Sequence, residues 1–420
     1  MTADHQSAEN RGAMFLFITL ILIYAASYFQ RTVMPGTFYN EFQLLGWNAE
    51  QIAGIGAAYI YAYSIPQVFS GILIDRYCGS RVVAAGGLIF VTGTSLTPFC
   101  TELWQLYVCR ALTGVGSSTM YLSLVKETDR LFGRARYATL FGIAYCCGYG
   151  GGLCGKLPFT SMHDSITWQG VMLVAGIAAM VFYLMFLAAK SRTVMPPVAQ
   201  AKNMLKDGIG ILKNRYSWML IFCSTVNFSI YFIIQTVFGE KFLMDFAGIS
   251  GVAASGVIMA MTLVCMLSLL SAGVLIKISG NRRKPWIIAA TGLCLLNSVL
   301  MILGICCKFH GSFFATVYLL YALSAGVPAI FAMLMQELNS RSVMTVSTAF
   351  SNSCGYLAVA VFSPLIGKVL MHFGGTVVNN VKVYSASGYL AVFIIAGAIA
   401  AVSFLTSFFL PETRGVYRKN

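Results

Sequence analysis

The sequence predicts an all-α membrane protein. Twelve transmembrane helices are expected, in two six-helix bundles with pseudo-two-fold symmetry. Three observations lead there. Of 420 residues, 58% are hydrophobic and 10% charged, with mean hydropathy +0.76, where a soluble domain carries about 25% charged residues. The apolar residues fall into runs of roughly 20, the length that crosses a bilayer as a helix. A charged turn also occurs twice. Gly71-Ile-Leu-Ile-Asp75-Arg76-Tyr-Cys-Gly79-Ser-Arg81 returns about two hundred residues later as Gly273-Val-Leu-Ile-Lys277-Ile-Ser-Gly280-Asn-Arg282-Arg283-Lys284. Helices are required because an unpaired backbone group in hydrocarbon costs several kcal/mol.

The expected spans are 13–34, 50–74, 82–99, 105–124, 137–159 and 169–189, then 217–239, 252–276, 286–307, 313–335, 346–370 and 388–410. This gives an N-terminal tail (1–12), a first bundle (13–189), a linker (190–216), a second bundle (217–410) and a C-terminal tail (411–420). The linker holds Pro196-Pro197 and a helix-like stretch, Ala201–Leu212, expected on the membrane surface. Lys and Arg divide 21 to 5 by side, with Lys156 and Lys368 counted at the outer ends of their spans, and Arg31 and Arg110 are placed inside spans. Positive charge is retained on the cytoplasmic face, so both tails and the linker are expected there, in a plasma (inner) membrane. That partition accounts for the net charge of +14 without a nucleic-acid partner. No cleavable leader is expected, because residues 1–12 are polar and the first apolar run outlasts a leader's core.

Within the spans the polar residues are few and placed at helical spacing. On span one, Tyr24, Tyr28 and Arg31 share a face at i, i+4 and i+7. A face with a permanent cation and two phenols is costly against lipid and is expected to face a central cavity. Tyr59, Tyr63 and Gln67 share a face of span two, Asn227, Tyr231 and Gln235 one of span seven, and Asn352 and Tyr356 one of span eleven. Arg110 opens Arg110-Ala-Leu-Thr-Gly114-Val-Gly116 on span four, as a structural guanidinium or with a role in substrate or proton coupling. Span five is glycine-rich, with Gly142, Gly148, Gly150, Gly151, Gly152 and Gly155, which reads first as a tightly packed helix.

The twelve spans, the Gly71–Arg81 turn and the tail Pro411-Glu412-Thr413-Arg414-Gly415 together resemble the major facilitator superfamily over the whole chain. The resemblance implies two bundles rocking about a midplane site. It implies a gate of Gly71, Asp75, Arg76 and Arg81, with Asp75 accepting from Arg134 or Arg136, and a second copy at Gly273 and Arg282. The chain departs from the pattern at Cys78, where glycine is usual, and at Lys277, where the acid is replaced. Span one is similar to that of organic-phosphate antiporters and anion:cation symporters, in which an arginine at this place contacts an anionic substrate. Here Gln30 stands where many symporters have an acid, and span seven lacks the antiporters' second arginine.

No carboxylate is expected deep in a span, and none of His5, His163, His310 or His372 lies there. The cavity should therefore be positive and suited to an anion. No Walker loop, hydrolytic triad or metal-ligand spacing is present, so neither an enzyme nor a cofactor is expected. The twelve cysteines read as small apolar residues. The expectation is a monomeric secondary or facilitative transporter of a small organic anion: a carboxylate, an amino acid or a phosphorylated metabolite. A coupling proton or counter-anion accompanies it, by symport or antiport. The alternatives are an exporter of hydrophobic compounds and a non-transporting sensor on the same fold.

Overall fold

The structure is a computed structural model that describes residues 3–154, 167–193, 214–339, 344–378 and 381–416. Inside its helices, the side chains of residues 3–10, 68, 75, 129, 133–139, 141, 142, 145, 272–274, 328, 329, 336 and 344–348 are outside the description. The surface helix expected at 201–212 also lies outside it. In chain order the helices are α1 (Ala3–Val33), α2 (Tyr39–Leu44), α3 (Ala49–Tyr77), α4 (Gly79–Leu96), α5 (Leu103–Ser117), α6 (Met120–Cys154) and α7 (Trp168–Ser191). Then come α8 (Arg215–Ile233), α9 (Gly239–Asp245), α10 (Gly251–Ile278), α11 (Lys284–Cys306), α12 (Gly311–Ala325), α13 (Pro328–Leu338), α14 (Met344–His372) and α15 (Ala386–Ser407). Strands β1 (Gly375–Val378) and β2 (Val381–Tyr384) form an antiparallel hairpin between α14 and α15.

Among the described residues nine helical stretches are long and apolar enough to cross a bilayer, from Arg11–Val33 to Ala386–Ser407. The other three expected spans fall on α3, α5 and α6. Two boundaries differ from expectation. The span expected at 105–124 breaks after Ser117, where the Ser118 and Thr119 hydroxyls donate to the carbonyls of Val115 and Gly116 at 2.7 and 2.9 Å. Such side-chain bonds offer the backbone an alternative to the helical ladder. The polar stretch from Lys126 to Arg136, which the expected spans leave between them, is helical throughout within α6.

Helix starts follow from local chemistry. Asn48 and Gln51 cap α3 reciprocally, at 2.8 and 3.0 Å; Glu102 and Gln105 form a capping box on α5. The side chains of Thr167, Ser250 and Ser385 accept from the backbone N–H three residues on, at α7, α10 and α15. Each satisfies a donor that the first turn leaves without a helical partner.

The chain forms two compact units, Met1–Val33 with Ala58–Lys202, and Met34–Ala57 with Asn203–Asn420. In the first, α1 packs most extensively on α6, and the glycines of α6 permit it. A Cβ on Gly151 would lie 2.1 Å from the Ala25 carbonyl oxygen, and one on Gly148 2.3 Å from the Tyr24 ring. In the second unit, Leu220, Ile221, Cys223, Ile287, Ile330 and Leu334 make an apolar core.

The glycine contacts differ along one helix, which makes them testable. Gly151→Ala sets a Cβ against backbone and should cost about 1–3 kcal/mol as overpacking, read as a lower unfolding temperature in detergent. Gly150→Ala meets nothing within 4 Å and should hold or raise that temperature.

Candidate functional site: a buried arginine–tyrosine stack

The first unit buries two guanidiniums beside a stacked pair of phenol rings. Arg31, at the end of α1, is 4% exposed, and Arg110, on α5, is 1% exposed. Tyr59 and Tyr63 of α3 stack with centroids 6.2 Å apart and planes 9° from parallel. Arg31 lies 4.1 Å from the Tyr63 centroid and 5.0 Å from that of Tyr28; Arg110 lies 4.5 Å from that of Tyr59. Desolvated cation–π contacts of this kind each contribute about 2 kcal/mol. Polar tips complete the arrangement. Arg110 donates from Nη1 to the Gln30 carbonyl at 2.7 Å, Tyr59 donates to the Ser27 carbonyl at 3.2 Å, and Gln67 donates to the Tyr63 hydroxyl at 3.2 Å. Arg110 is thereby fastened to the residue next to Arg31.

Tyr24 and Tyr28 have a different setting. Tyr24 packs on Gly148 and, at 6.1 Å, on Tyr121; Tyr28 packs on Gly152 and, at 4.7 Å, on Tyr149. The glycine-rich face of α6 is the seat for these rings. Tyr61, two residues from each stacked neighbour in the alternating run, points away and helps line a shallow apolar groove of about 510 Å³ with Ile65, Tyr107 and Val108. That groove lies on a different face from the arginines.

In the second unit, Asn227 donates to the Ser324 carbonyl at 3.0 Å and Gln235 to the Thr262 hydroxyl at 2.6 Å, so both amides tie α8 and its continuation to α12 and α10. Tyr231 is buried between them in sequence. Tyr356 instead meets Phe228 and Phe232 edge-on at 4.8 and 5.5 Å, with Asn352 half-buried one turn before it. The two polar stripes thus lie on different sides of α8. Residues Ile234–Phe238 form a π-helical turn, which the helical periodicity did not anticipate.

The charged turns hold contacts that the motif does not name. The Asp75, Arg134 and Arg136 side chains and the surroundings of Gly273 lie outside the described residues. Arg76 is exposed beside Tyr77, and Arg81 is half-buried. A Cβ on Gly71 would make only an ordinary 3.9 Å contact with Leu122, whereas one on Gly79 would strike Glu127 at 2.9 Å. Buried Glu127 is the hub: it accepts from the Cys78 thiol at 2.8 Å, the Ser80 N–H at 2.9 Å and Arg130 at 2.7 Å. Cys78 sits at φ +77°, a backbone region that favours glycine, and its thiol is pushed up by burial and by its bond to Glu127. In the second turn Arg282 is exposed and Arg283 is buried. Arg283 meets Glu337 at 2.8 Å, and Glu337 also accepts from Thr413. Glu412 accepts backbone N–H groups from Arg283, Lys284, Thr413 and Arg414 at 3.0–3.1 Å.

One further ion pair corrects the sequence reading. Lys241, just past the expected span 217–239, is buried in α9, 2.8 Å from Asp245, with both side chains 3% exposed or less. Asp245 also accepts from the Tyr384 N–H at 3.1 Å and the Tyr389 hydroxyl at 3.0 Å. Tyr384 in turn bonds Tyr39 and Gln43 at 3.1 and 3.0 Å. The i,i+4 spacing of Lys241 and Asp245 was visible; their burial depends on the hairpin and α15, which no local pattern reports.

Long apolar helices in two units, with polar side chains answered internally, define a multi-span membrane protein. A family model for the Major Facilitator Superfamily matches residues 16–363, and the chain belongs to that family. It is similar to the probable anion transporter 4, chloroplastic, of Arabidopsis thaliana, 25% identical over 148 residues, 35% of this chain and 28% of that protein. It is also similar to the multidrug resistance protein MdtM of Escherichia coli O157:H7, 22% identical over 212 residues, 50% of this chain and 51% of that protein. The matches thus span about a quarter to a half of these relatives' lengths. Among solved structures, the nucleoside transporter NupG matches with TM-score 0.72 at 13% identity, over 95% of this chain and 99% of that one. The peptide transporter POT in complex with sulfate matches with TM-score 0.74 at 14% identity, over 95% and 93%. At such identities the likeness is one of fold.

Two expectations follow from the ion pairs. Lys241→Met leaves a buried carboxylate without its cation, a loss of about 3–5 kcal/mol. The double variant with Asp245→Asn should recover most of it, as unfolding temperatures in detergent will report. For Glu412, burial opposes ionisation, but the four N–H donors outweigh it and hold the carboxyl below its ordinary value. A depressed folded value means that its stabilisation is complete at neutral pH and is lost as pH falls through that value. Glu412→Gln should lower stability at about pH 7, and the gap to the parent chain should close as pH falls below the ordinary carboxylate range, measured as unfolding temperature against pH.

Proposed function

We propose that this chain is a secondary transporter that moves a small organic anion by alternating access, with Arg31 as the anion-binding residue. One observation carries the reading: an always-charged guanidinium is buried in the first span against the faces of Tyr63 and Tyr28. A guanidinium offers a planar fork of donors matched to a carboxylate or phosphate. The aromatic faces hold that fork in place and Gln67 fixes Tyr63. Arg110, bonded to the Gln30 carbonyl, acts as a positioning residue and adds positive charge. The relatives named as anion transporters support this substrate class. A proton or counter-anion balances the charge moved, by symport or antiport. The chain works as a monomer in the plasma membrane, with its termini cytoplasmic.

A second reading is export of hydrophobic compounds, favoured by relatives named for multidrug resistance and efflux. Loss of the gene would then sensitise cells to such compounds without altering organic-acid uptake.

A thermal-shift panel of carboxylates, amino acids and sugar phosphates will identify the ligand, because binding to the native state raises its stability. In proteoliposomes Arg31→Gln should lower uptake of that ligand by about 100-fold, as expected for losing a charge-assisted contact of about 3 kcal/mol, while Arg31→Lys retains part of it. Uptake unchanged in a correctly inserted Arg31→Gln protein removes the anion site.

A further inference from the structure

We propose that Cys100 and Cys109 are a disulfide-forming site that staples the outer turn between α4 and α5. The two Sγ atoms lie 3.6 Å apart, nine positions apart in sequence. Closing them to a bonded distance of about 2.05 Å requires about 1.5 Å of side-chain movement, and the backbone already holds them together. Residues Thr97–Phe99 form a 3₁₀ turn that ends α4, and the Cys100 N–H donates to the Thr97 carbonyl at 3.2 Å. On the other side the Glu102–Gln105 capping box fixes the start of α5. Below the pair, α4 and α5 are in backbone contact: a Cβ on Gly93 would lie 2.7 Å from the Thr113 nitrogen and 2.8 Å from the Cys109 carbonyl oxygen. Both thiols are largely covered, at 8% and 6% exposure, beneath an exposed rim of Phe99 and Trp104.

The compartment follows from charge and rests on the topology proposed above. The turn from Thr97 to Gln105 has no Lys or Arg. At the opposite end of this helix pair, Arg81 lies in the first turn of α4, and Lys126 and Arg130 follow on α6. The positive-inside rule therefore places the cysteines on the outer face, where disulfides form and persist. The reaction is thiol–disulfide exchange. The Cys100 and Cys109 thiols lose two protons and two electrons as their S–S bond forms. A disulfide-bearing oxidant of the outer compartment takes both and leaves as two thiols.

Trypsin reports the bond directly. Cleavage after Arg81 and Arg110 releases Val82–Arg110, which contains these two cysteines and no others. Right-side-out vesicles carrying the full chain are exposed to oxidised glutathione, quenched with N-ethylmaleimide, denatured and digested. The expected fragment is lighter than the dithiol by two hydrogens and takes up alkyl groups only after reduction; Cys109→Ser abolishes this form. A fragment doubly alkylated without reduction overturns the proposal. So does a bond that forms only in inverted vesicles, since that places the turn on the inner face. Neither outcome touches Arg31, whose uptake assay stands or falls separately.

Discussion

Hydrocarbon offers no partner to a polar group, so every donor and charge that this chain carries into the bilayer must be met by another part of the chain. Much of the architecture is a set of answers to that demand. Arg110 finds the Gln30 carbonyl, Asn227 the Ser324 carbonyl, Gln235 the Thr262 hydroxyl, and Lys241 the Asp245 carboxylate. In each case the partner comes from another helix or from a helical neighbour four residues away. The polar contacts therefore fix which helices lie side by side, as interhelical hydrogen bonds do in other membrane bundles.

The arginines are held by aromatic faces as well as by hydrogen bonds. An aromatic face stabilises the charge of a guanidinium seated over it. Arg31 and Arg110 each lie over a ring of the same stacked pair. The phenols are fixed at their tips by Ser27 and Gln67, so the rings have little freedom to turn.

The helical architecture was legible because lipid imposes a single constraint on every span, and apolar length reports it. The Tyr24–Tyr28–Arg31 face was legible for the same reason, since helical spacing fixes which residues share a side. What spacing leaves open is the neighbour. The glycines of α6 read as a packed face, but that the Tyr24 and Tyr28 rings fill it depends on how α1 and α6 meet. The burial of Lys241 depends on residues as distant as Tyr384 and Tyr389. Glu127 follows the expected span 105–124, and spacing alone does not bring Cys78, Ser80 and Arg130 to its carboxylate; Cys78 does so from a backbone conformation that the residue type disfavours.

The wide turn at Ile234–Phe238 has a geometric effect beyond its own five residues. A π turn takes up one more residue than an α turn, which rotates everything after it by roughly 100° relative to a regular helix. On an unbroken α-helix, Lys241 would sit within about 40° of the azimuth of Asn227. The extra residue swings it to another quadrant, where its ammonium group meets Asp245 and the Tyr39 ring.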